Sequence, residues 1–146
     1  VEPGRYIAGN AGVLLTECLY EKKGAAKTFK IVDAGMNDLI RPALYEGHHE
    51  IVPLAEPTKE TAHIPMDVVG PICETGDFFC QSRDLPDFAE GEIIALLSAG
   101  AYGFVMASNY NTRGLPVEIM IDGDSSKVIR TRQTVEDILA AEIASL

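Results

Sequence analysis

The chain has no tryptophan and only three cysteines among its 146 residues, and these scarcities limit what it can be. Cys18, Cys73 and Cys80 are an odd number of cysteines and contain no CxxC pair. A disulfide framework needs paired cysteines, and a structural zinc site takes closely spaced ones. We therefore expect neither a disulfide framework nor a metal site, and we expect the reducing cytoplasm as the setting.

Positive charge is also scarce, with 12 lysines and arginines against 22 aspartates and glutamates, and the net charge is −10. Nucleic acids and anionic membrane surfaces bind clusters of basic residues, so neither is an expected partner. The longest apolar run, residues 93–108, is interrupted by Gly100, Tyr102 and Gly103 and is too short to cross a bilayer. The first residues carry no signal-peptide pattern.

Apolar residues make up 47% of the sequence, which suits one globular domain with a core. Short apolar or alternating runs between turn residues predict roughly six to eight strands, at the spacing of a β-sandwich or barrel. Residues 18–23 pair with 28–35 as one predicted hairpin, and PVEIMIDG pairs with SKVIRTR as another. Helices are predicted over residues 7–17 and over 134–146, where Thr134 is the N-cap. The predicted fold class is mainly β, with a short helix at each end.

The stretch GPICETGD places a thiol, Cys73, beside a carboxylate, Glu74, at a bend that Pro71 and Gly76 predict. From the residues alone, the thiol could be a nucleophile, a metal ligand, a proton donor or a core side chain. A nucleophilic cysteine needs a neighbouring base, and no histidine is close in sequence. His48, His49 and His63 match no metal-binding pattern, so we interpret them as structural or exposed.

Four segments, taken in order, resemble one enzyme family. They are EPGRYIAGNAG, VDAGMNDLIRPALY, GPICETGD and SAGAYGFVMASNYN. Together they resemble the C-terminal half of the diaminopimelate decarboxylases. This family consists of pyridoxal 5'-phosphate (PLP) enzymes of the alanine-racemase-like fold type. The resemblance extends from Glu2 to about Glu142. Val1 is not a methionine and EPGR follows it at once, so we expect the chain to be a segment of a longer polypeptide.

The resemblance implies a two-domain homodimer whose active site is shared between subunits. An N-terminal α/β barrel carries the lysine that bonds to PLP, and a C-terminal β-domain completes the site. Residues 1–17 would be the end of the barrel, and residues 18–146 would be the β-barrel or sandwich domain. The barrel domain would then be a partner of this chain, and the chain alone would be inactive because it lacks that lysine.

The resemblance also implies cofactor contacts. Glu2 would hold the pyridine nitrogen of PLP protonated, which keeps the cofactor a strong electron sink. Pro3 and Gly4 would shape the loop that approaches the cofactor. Arg5 would lie by PLP and by the far end of the substrate, and Tyr102, which has Gly100 and Gly103 nearby, would contact both.

The remaining implied contacts are with an amino-acid substrate. Arg41 and Tyr45 share a face if their segment is helical, and they would hold the distal carboxylate of diaminopimelate. Glu74 would pair with the distal ammonium, and Cys73 would return a proton to the α-carbon from the second subunit. The carboxylate contacts favour diaminopimelate over ornithine, which has no distal carboxylate.

Two alternatives stay open. A related PLP decarboxylase for carboxynorspermidine or ornithine would keep the fold and the chemistry but change the substrate. A catalytically silent paralogue would keep only the fold and act as a dimerisation module. A silent paralogue is expected to lose Cys73 or Arg41, and both are present.

Overall fold

The structure, a computed structural model, describes residues 3–146, and these form a mainly β domain with short helices. The predicted fold class is thereby confirmed. The elements in chain order are α1 Gly4–Ala8, β1 Leu14–Lys23, β2 Thr28–Val32, α2 Arg41–Tyr45, β3 Ile51–Pro53, β4 His63–Val69, β5 Phe78–Pro86, β6 Ile93–Leu96, β7 Glu118–Asp122, β8 Ser125–Arg130 and α3 Val135–Ile143. Short 3-10 turns occupy Gly9–Ala11, Phe104–Met106 and Tyr110–Thr112.

The main sheet has six strands in the order β3-β6-β1-β2-β4-β5. Its neighbouring strands are antiparallel except β2 and β4, which are parallel and are joined by a crossover that contains α2 and β3. The two edge strands of the sheet, β3 and β5, lie close together. Arg83 on β5 donates a hydrogen bond of 2.6 Å to the carbonyl of His49, just before β3. The sheet is therefore nearly closed, like a barrel.

The core fills the inside of this sheet. Its apolar side chains come from every strand of the sheet, and β6, which is almost wholly buried as its run of apolar residues predicts, crosses the middle. Cys18 and Cys80 are buried in this core, so two of the three cysteines are packing residues. The buried cluster consists of Cys18, Val32, Ala34, Leu39, Ile51, Met66, Val68, Phe79, Cys80, Leu85, Phe88, Ile94 and Leu96.

The helix predicted over residues 7–17 is wrong for most of its length. Helix α1 ends at Ala8, a 3-10 turn follows, and residues 14–17 begin β1, where they pair with β6. Glycines lower helix propensity, and a Cβ at Gly12 would lie only 2.8 Å from the Cα of Gly100. Close backbone packing and strand pairing therefore override the weak local helix signal. The domain boundary after residue 17 stays a prediction.

The C-terminal part follows its sequence signals closely. Strands β7 and β8 form the predicted hairpin, and α3 begins after Thr134, whose hydroxyl accepts a hydrogen bond from the Asp137 backbone N–H. The Asp137 carboxylate accepts one in return from the Thr134 N–H, which completes the predicted capping box. Within residues 3–146, no helix has both the length and the apolar character that a bilayer crossing requires.

Candidate active site

The residues predicted to contact a substrate lie in short helices and loops outside the strands. Arg41 and Tyr45 are the first and last residues of α2, in the crossover from β2 to β4. Cys73 and Glu74 lie in the loop of residues 70–77, between β4 and β5, and Tyr102 follows β6. Loops on a rigid sheet are where binding residues concentrate, because the sheet fixes their spacing.

Arg41 lies between two tyrosine rings. Its guanidinium carbon is 5.7 Å from the centre of the Tyr45 ring and 5.8 Å from that of Tyr102. Both distances are within the range of a cation–π interaction, which restricts the guanidinium to one orientation. The Arg41 Nε is buried and has no hydrogen-bond partner among the described residues. A planar guanidinium with a free donor is suited to bind a carboxylate.

Tyr102 has a backbone conformation that is unusual for a tyrosine, with a φ of +57°. Side chains other than glycine and asparagine rarely adopt this left-handed region, and such strain tends to occur at functional sites. The conformation points the phenol toward α1, where a Cβ on Gly4 would lie 3.6 Å from the Tyr102 hydroxyl oxygen. The segment that carries Pro3, Gly4 and Arg5 is therefore adjacent to Tyr102, which in turn contacts Arg41.

His49 lies behind this cluster and was interpreted from the sequence only as structural or exposed. It is buried, and its Nδ1 is 2.8 Å from the Leu97 carbonyl oxygen, so Nδ1 carries the proton and donates. Its Nε2 is buried without a partner in the described part of the chain. Burial lowers the pKa of His49, and the positive charges of Arg41 and Arg5 lower it further. These effects favour the neutral ring over the protonated one.

Cys73 is exposed at the tip of its loop, and the adjacent Glu74 is better fixed. One Glu74 carboxylate oxygen accepts a hydrogen bond of 3.2 Å from the Gly76 backbone N–H, and the other lies 3.5 Å from the Tyr110 hydroxyl. Gly76 packs on α2, since a Cβ at this position would lie 3.8 Å from the Cβ of Ala43. The loop therefore rests against the helix that carries Arg41. Cys73 makes no hydrogen bond with any of residues 3–146.

A group of polar residues lies next to the loop, and two of them, Asn37 and Asp38, are buried. Residues of these types commonly form turns, and Asp38 accepts a hydrogen bond of 2.9 Å from the Gly35 N–H. These residues also contact Arg113, which donates 2.9 Å to the Asn37 side-chain oxygen and 2.6 Å to the Asp33 carbonyl. Asp77 joins them from the loop. No local pattern marks Asp77 or Arg113, because their partners are distant in sequence.

The arrangement fits a ligand that carries both charges. Arg5 and Arg41 supply positive charge, Glu74 supplies negative charge, and Tyr45 and Tyr102 supply phenols. This donor set, with the unpartnered Arg41 Nε, fits an anionic or zwitterionic small molecule such as an amino acid or a phosphate-bearing cofactor. Glu2 lies outside the described residues. Within residues 3–146, no three His, Cys, Asp or Glu side chains are grouped so as to hold a metal ion.

Comparison with known proteins points to one family. The family model of the pyridoxal-dependent decarboxylase C-terminal sheet domain matches residues 5–100. The chain is also similar to a protein of Pseudomonas fluorescens named diaminopimelate decarboxylase, with 54% identity over 97% of this chain and 33% of that protein. The chain thus spans about a third of the length of the relatives it matches.

Two solved structures have the same fold. A protein of Aquifex aeolicus superposes with a TM-score of 0.91 and 47% identity, covering 95% of this chain and 34% of that one. The diaminopimelate decarboxylase of Helicobacter pylori, crystallised with L-lysine, superposes with a TM-score of 0.88 and 44% identity. That match covers 97% of this chain and 34% of the Helicobacter chain.

Proposed function

Because the chain belongs to the pyridoxal-dependent decarboxylases, as their C-terminal sheet domain, we propose that it is the C-terminal part of a diaminopimelate decarboxylase. The complete enzyme would convert meso-2,6-diaminopimelate to L-lysine and CO2. The names of the Pseudomonas and Helicobacter relatives and the lysine bound to the latter support this substrate. The complete enzyme would be a cytoplasmic homodimer in which an N-terminal barrel domain carries the main PLP site.

The observation that carries the proposal is the position of Arg41. Its guanidinium is held between Tyr45 and Tyr102, and its buried Nε lacks a partner. The guanidinium is a planar donor fork, which would bind a carboxylate through paired, charge-assisted hydrogen bonds. Substrates of the ornithine type have only an ammonium at the far end, so they would leave this donor unsatisfied. Diaminopimelate has both groups there.

Each residue then has a stated task. Arg41 and Tyr45 would bind the distal carboxylate, with Arg5 close by, and Glu74 would bind the distal ammonium. Bound PLP would supply the electron sink that lets CO2 leave the α-carbon. Glu2 would hold its ring nitrogen, Pro3 and Gly4 would shape the approach to it, and Tyr102 would contact it.

Cys73 would return the proton to the α-carbon after CO2 has left. Its thiol is exposed and makes no hydrogen bond in the described part of the chain, which leaves it free to approach a substrate held by another surface. A donor that acts across a subunit boundary needs this exposure. The step is balanced, because the thiol proton forms the new C–H bond and the thiolate is reprotonated from solvent.

The test uses the full-length gene product that contains this segment, purified with PLP. Lysine formation from meso-diaminopimelate is measured, with ornithine and carboxynorspermidine as competing substrates. We expect lysine from the parent and at least a 100-fold loss of kcat for Cys73→Ala. Cys80→Ala is the matched control, because Cys80 is buried in the core and away from the site.

Three outcomes would contradict parts of the proposal. Turnover of ornithine or carboxynorspermidine without lysine formation would refute the substrate. PLP binding without turnover of any substrate would favour a silent paralogue. Equal losses from Cys73→Ala and Cys80→Ala would refute the proton-donor role. The isolated chain with PLP should form no lysine and show no covalent PLP absorption band.

A further inference from the structure

The loop that carries Cys73 is closed by one buried carboxylate. Asp77 ends the loop, and its carbonyl accepts a hydrogen bond of 3.0 Å from the Gly70 N–H. Its own N–H donates 3.0 Å to the Glu74 carbonyl, and its Oδ2 accepts 2.6 Å from the Ile72 N–H. One residue therefore fixes the loop at its start, beside Cys73, and at its end.

The same carboxylate joins the loop to the turn that leads into α2. The other oxygen of Asp77, Oδ1, accepts a hydrogen bond of 2.6 Å from the backbone N–H of Met36. Asp77 is 4% exposed, so these bonds do not compete with solvent. A Cβ at Gly70 would collide with both carboxylate oxygens, so glycine is required where the strand passes over them.

Arg113 provides the opposite charge for this buried acid. Burial raises the pKa of Asp77, while the N–H groups of Ile72 and Met36 and the charge of Arg113 oppose the rise. Arg113 also binds the turn itself, through the Asn37 side chain and the Asp33 carbonyl. The loop and the turn thus share one electrostatic centre, and none of the side-chain bonds of Asp77 or Arg113 involves Cys73, Glu74 or Arg41.

We propose that Asp77 is a positioning residue that holds the loop of Cys73 and Glu74 in one conformation against the turn that leads into α2. The structural part of this proposal stands on the contacts above, and its catalytic consequence rests on the proposed function. An asparagine at this position keeps the size but replaces one acceptor oxygen with an NH2 donor. That NH2 group would face the backbone N–H of either Met36 or Ile72, so one of the two 2.6 Å bonds is lost. The loop is then released either from the turn before α2 or from its own start.

The test compares Asp77→Asn with Asp67→Asn in the full-length protein with PLP. Asp67 is the matched control because it is also buried, accepts 2.6 Å from the Ser82 N–H and pairs with Lys27, but lies on β4 outside the loop. The first measurement is the rate of Cys73 alkylation by iodoacetamide, followed by peptide mass spectrometry. We expect the alkylation rate of Cys73 to change at least threefold in Asp77→Asn and to stay the same in Asp67→Asn, although both variants have a lower melting temperature.

The second measurement follows the reaction in D2O and determines the stereochemistry of deuterium at the new CH2 group of lysine. A well-placed donor delivers deuterium to one face, and a displaced one gives a mixture. We expect a single configuration from the parent and from Asp67→Asn, and a mixture with at least a tenfold lower kcat from Asp77→Asn. If Asp77→Asn does not fold, Gly70→Ala is used in its place, because the added methyl group presses on the Asp77 carboxylate.

The two readouts separate the two ideas. Alkylation needs no substrate, so a changed rate in a protein that makes no lysine supports the positioning role and refutes the proposed substrate. Unchanged alkylation and unchanged stereochemistry in Asp77→Asn would overturn the positioning role even if lysine is formed. Equal changes in Asp77→Asn and Asp67→Asn would overturn it too, because the effect would then be general destabilisation.

Discussion

Arg41→Lys in the full-length protein is the sharpest test of the carboxylate site. Lysine keeps the positive charge but loses the planar fork and the stacking on two rings, from which the guanidinium carbon is 5.7 and 5.8 Å away. Loss of one hydrogen bond to a charged carboxylate costs about 1.5–3 kcal/mol. The lysine ammonium recovers part of this energy, which leaves about 2 kcal/mol. The two cation–π contacts are made within the chain before a ligand binds, so their loss lowers the free energy of unfolding, by about 0.5–1 kcal/mol each at these exposed rings, and does not count toward binding.

A loss of about 2 kcal/mol in binding free energy corresponds to roughly a 30-fold rise in KM for meso-diaminopimelate, at 1.4 kcal/mol for each factor of ten. The matched control is Arg130→Lys, because Arg130 also lies on a ring, 4.5 Å from the centre of Phe104, but belongs to the β7–β8 hairpin and pairs with Glu118. The assay is steady-state lysine formation, with lysine binding measured by calorimetry as a readout without turnover. A KM for Arg41→Lys within threefold of the parent would refute the reasoning.

Three further predictions concern the stability of the fold. The pKa of His49 is lowered in the folded state, so its contribution to the free energy of unfolding is complete above the ordinary value of 6.5 and is lost as the pH falls. In chemical denaturation, His49→Gln should make the free energy of unfolding depend less on pH. His63→Gln, which changes an exposed ring, should leave that dependence unchanged. Lys30→Met should lower the free energy of unfolding by about 3 kcal/mol, because the Lys30 side chain is 1% exposed and its acidic partners would lose their cation. Lys27→Met, which removes a more exposed lysine, should lower it by less than about 1 kcal/mol. Unfolding is followed by circular dichroism, because the chain has no tryptophan for fluorescence. Equal losses of unfolding free energy for the two lysine variants would contradict the prediction. Gly70→Ala should lower the melting temperature, because the added methyl group collides with a buried carboxylate; an unchanged melting temperature would contradict that geometry.

Features that depend on near neighbours in sequence were predictable. The capping box at Thr134 needs only the residue three positions on, and the shared face of Arg41 and Tyr45 needs one helical turn. Both are confirmed. The β7–β8 hairpin likewise follows from its turn residues and the strands on either side.

Features that depend on distant partners were not predictable from one sequence. Residues 14–17 become a strand because residues 93–96 lie beside them, and no local signal conveys that pairing. Asp77 is buried because the Met36 N–H and the Arg113 charge come from other parts of the chain. His49 is buried for the same kind of reason, through the Leu97 carbonyl. The contacts assigned to PLP and substrate stay predictions, because they involve molecules and a domain outside this chain.

The order of strands in the sheet has a consequence for how the protein folds. Strand β6 is inserted between β3 and β1, so the sheet cannot be completed until residue 96 has been synthesised. Folding dominated by such distant pairings is slow, typically on the order of milliseconds to seconds. The segments with Arg41 and Cys73 leave the ribosome before β6, and they have no fixed framework until it docks. Binding capacity should therefore appear late and in a single cooperative step, rather than growing as the chain lengthens.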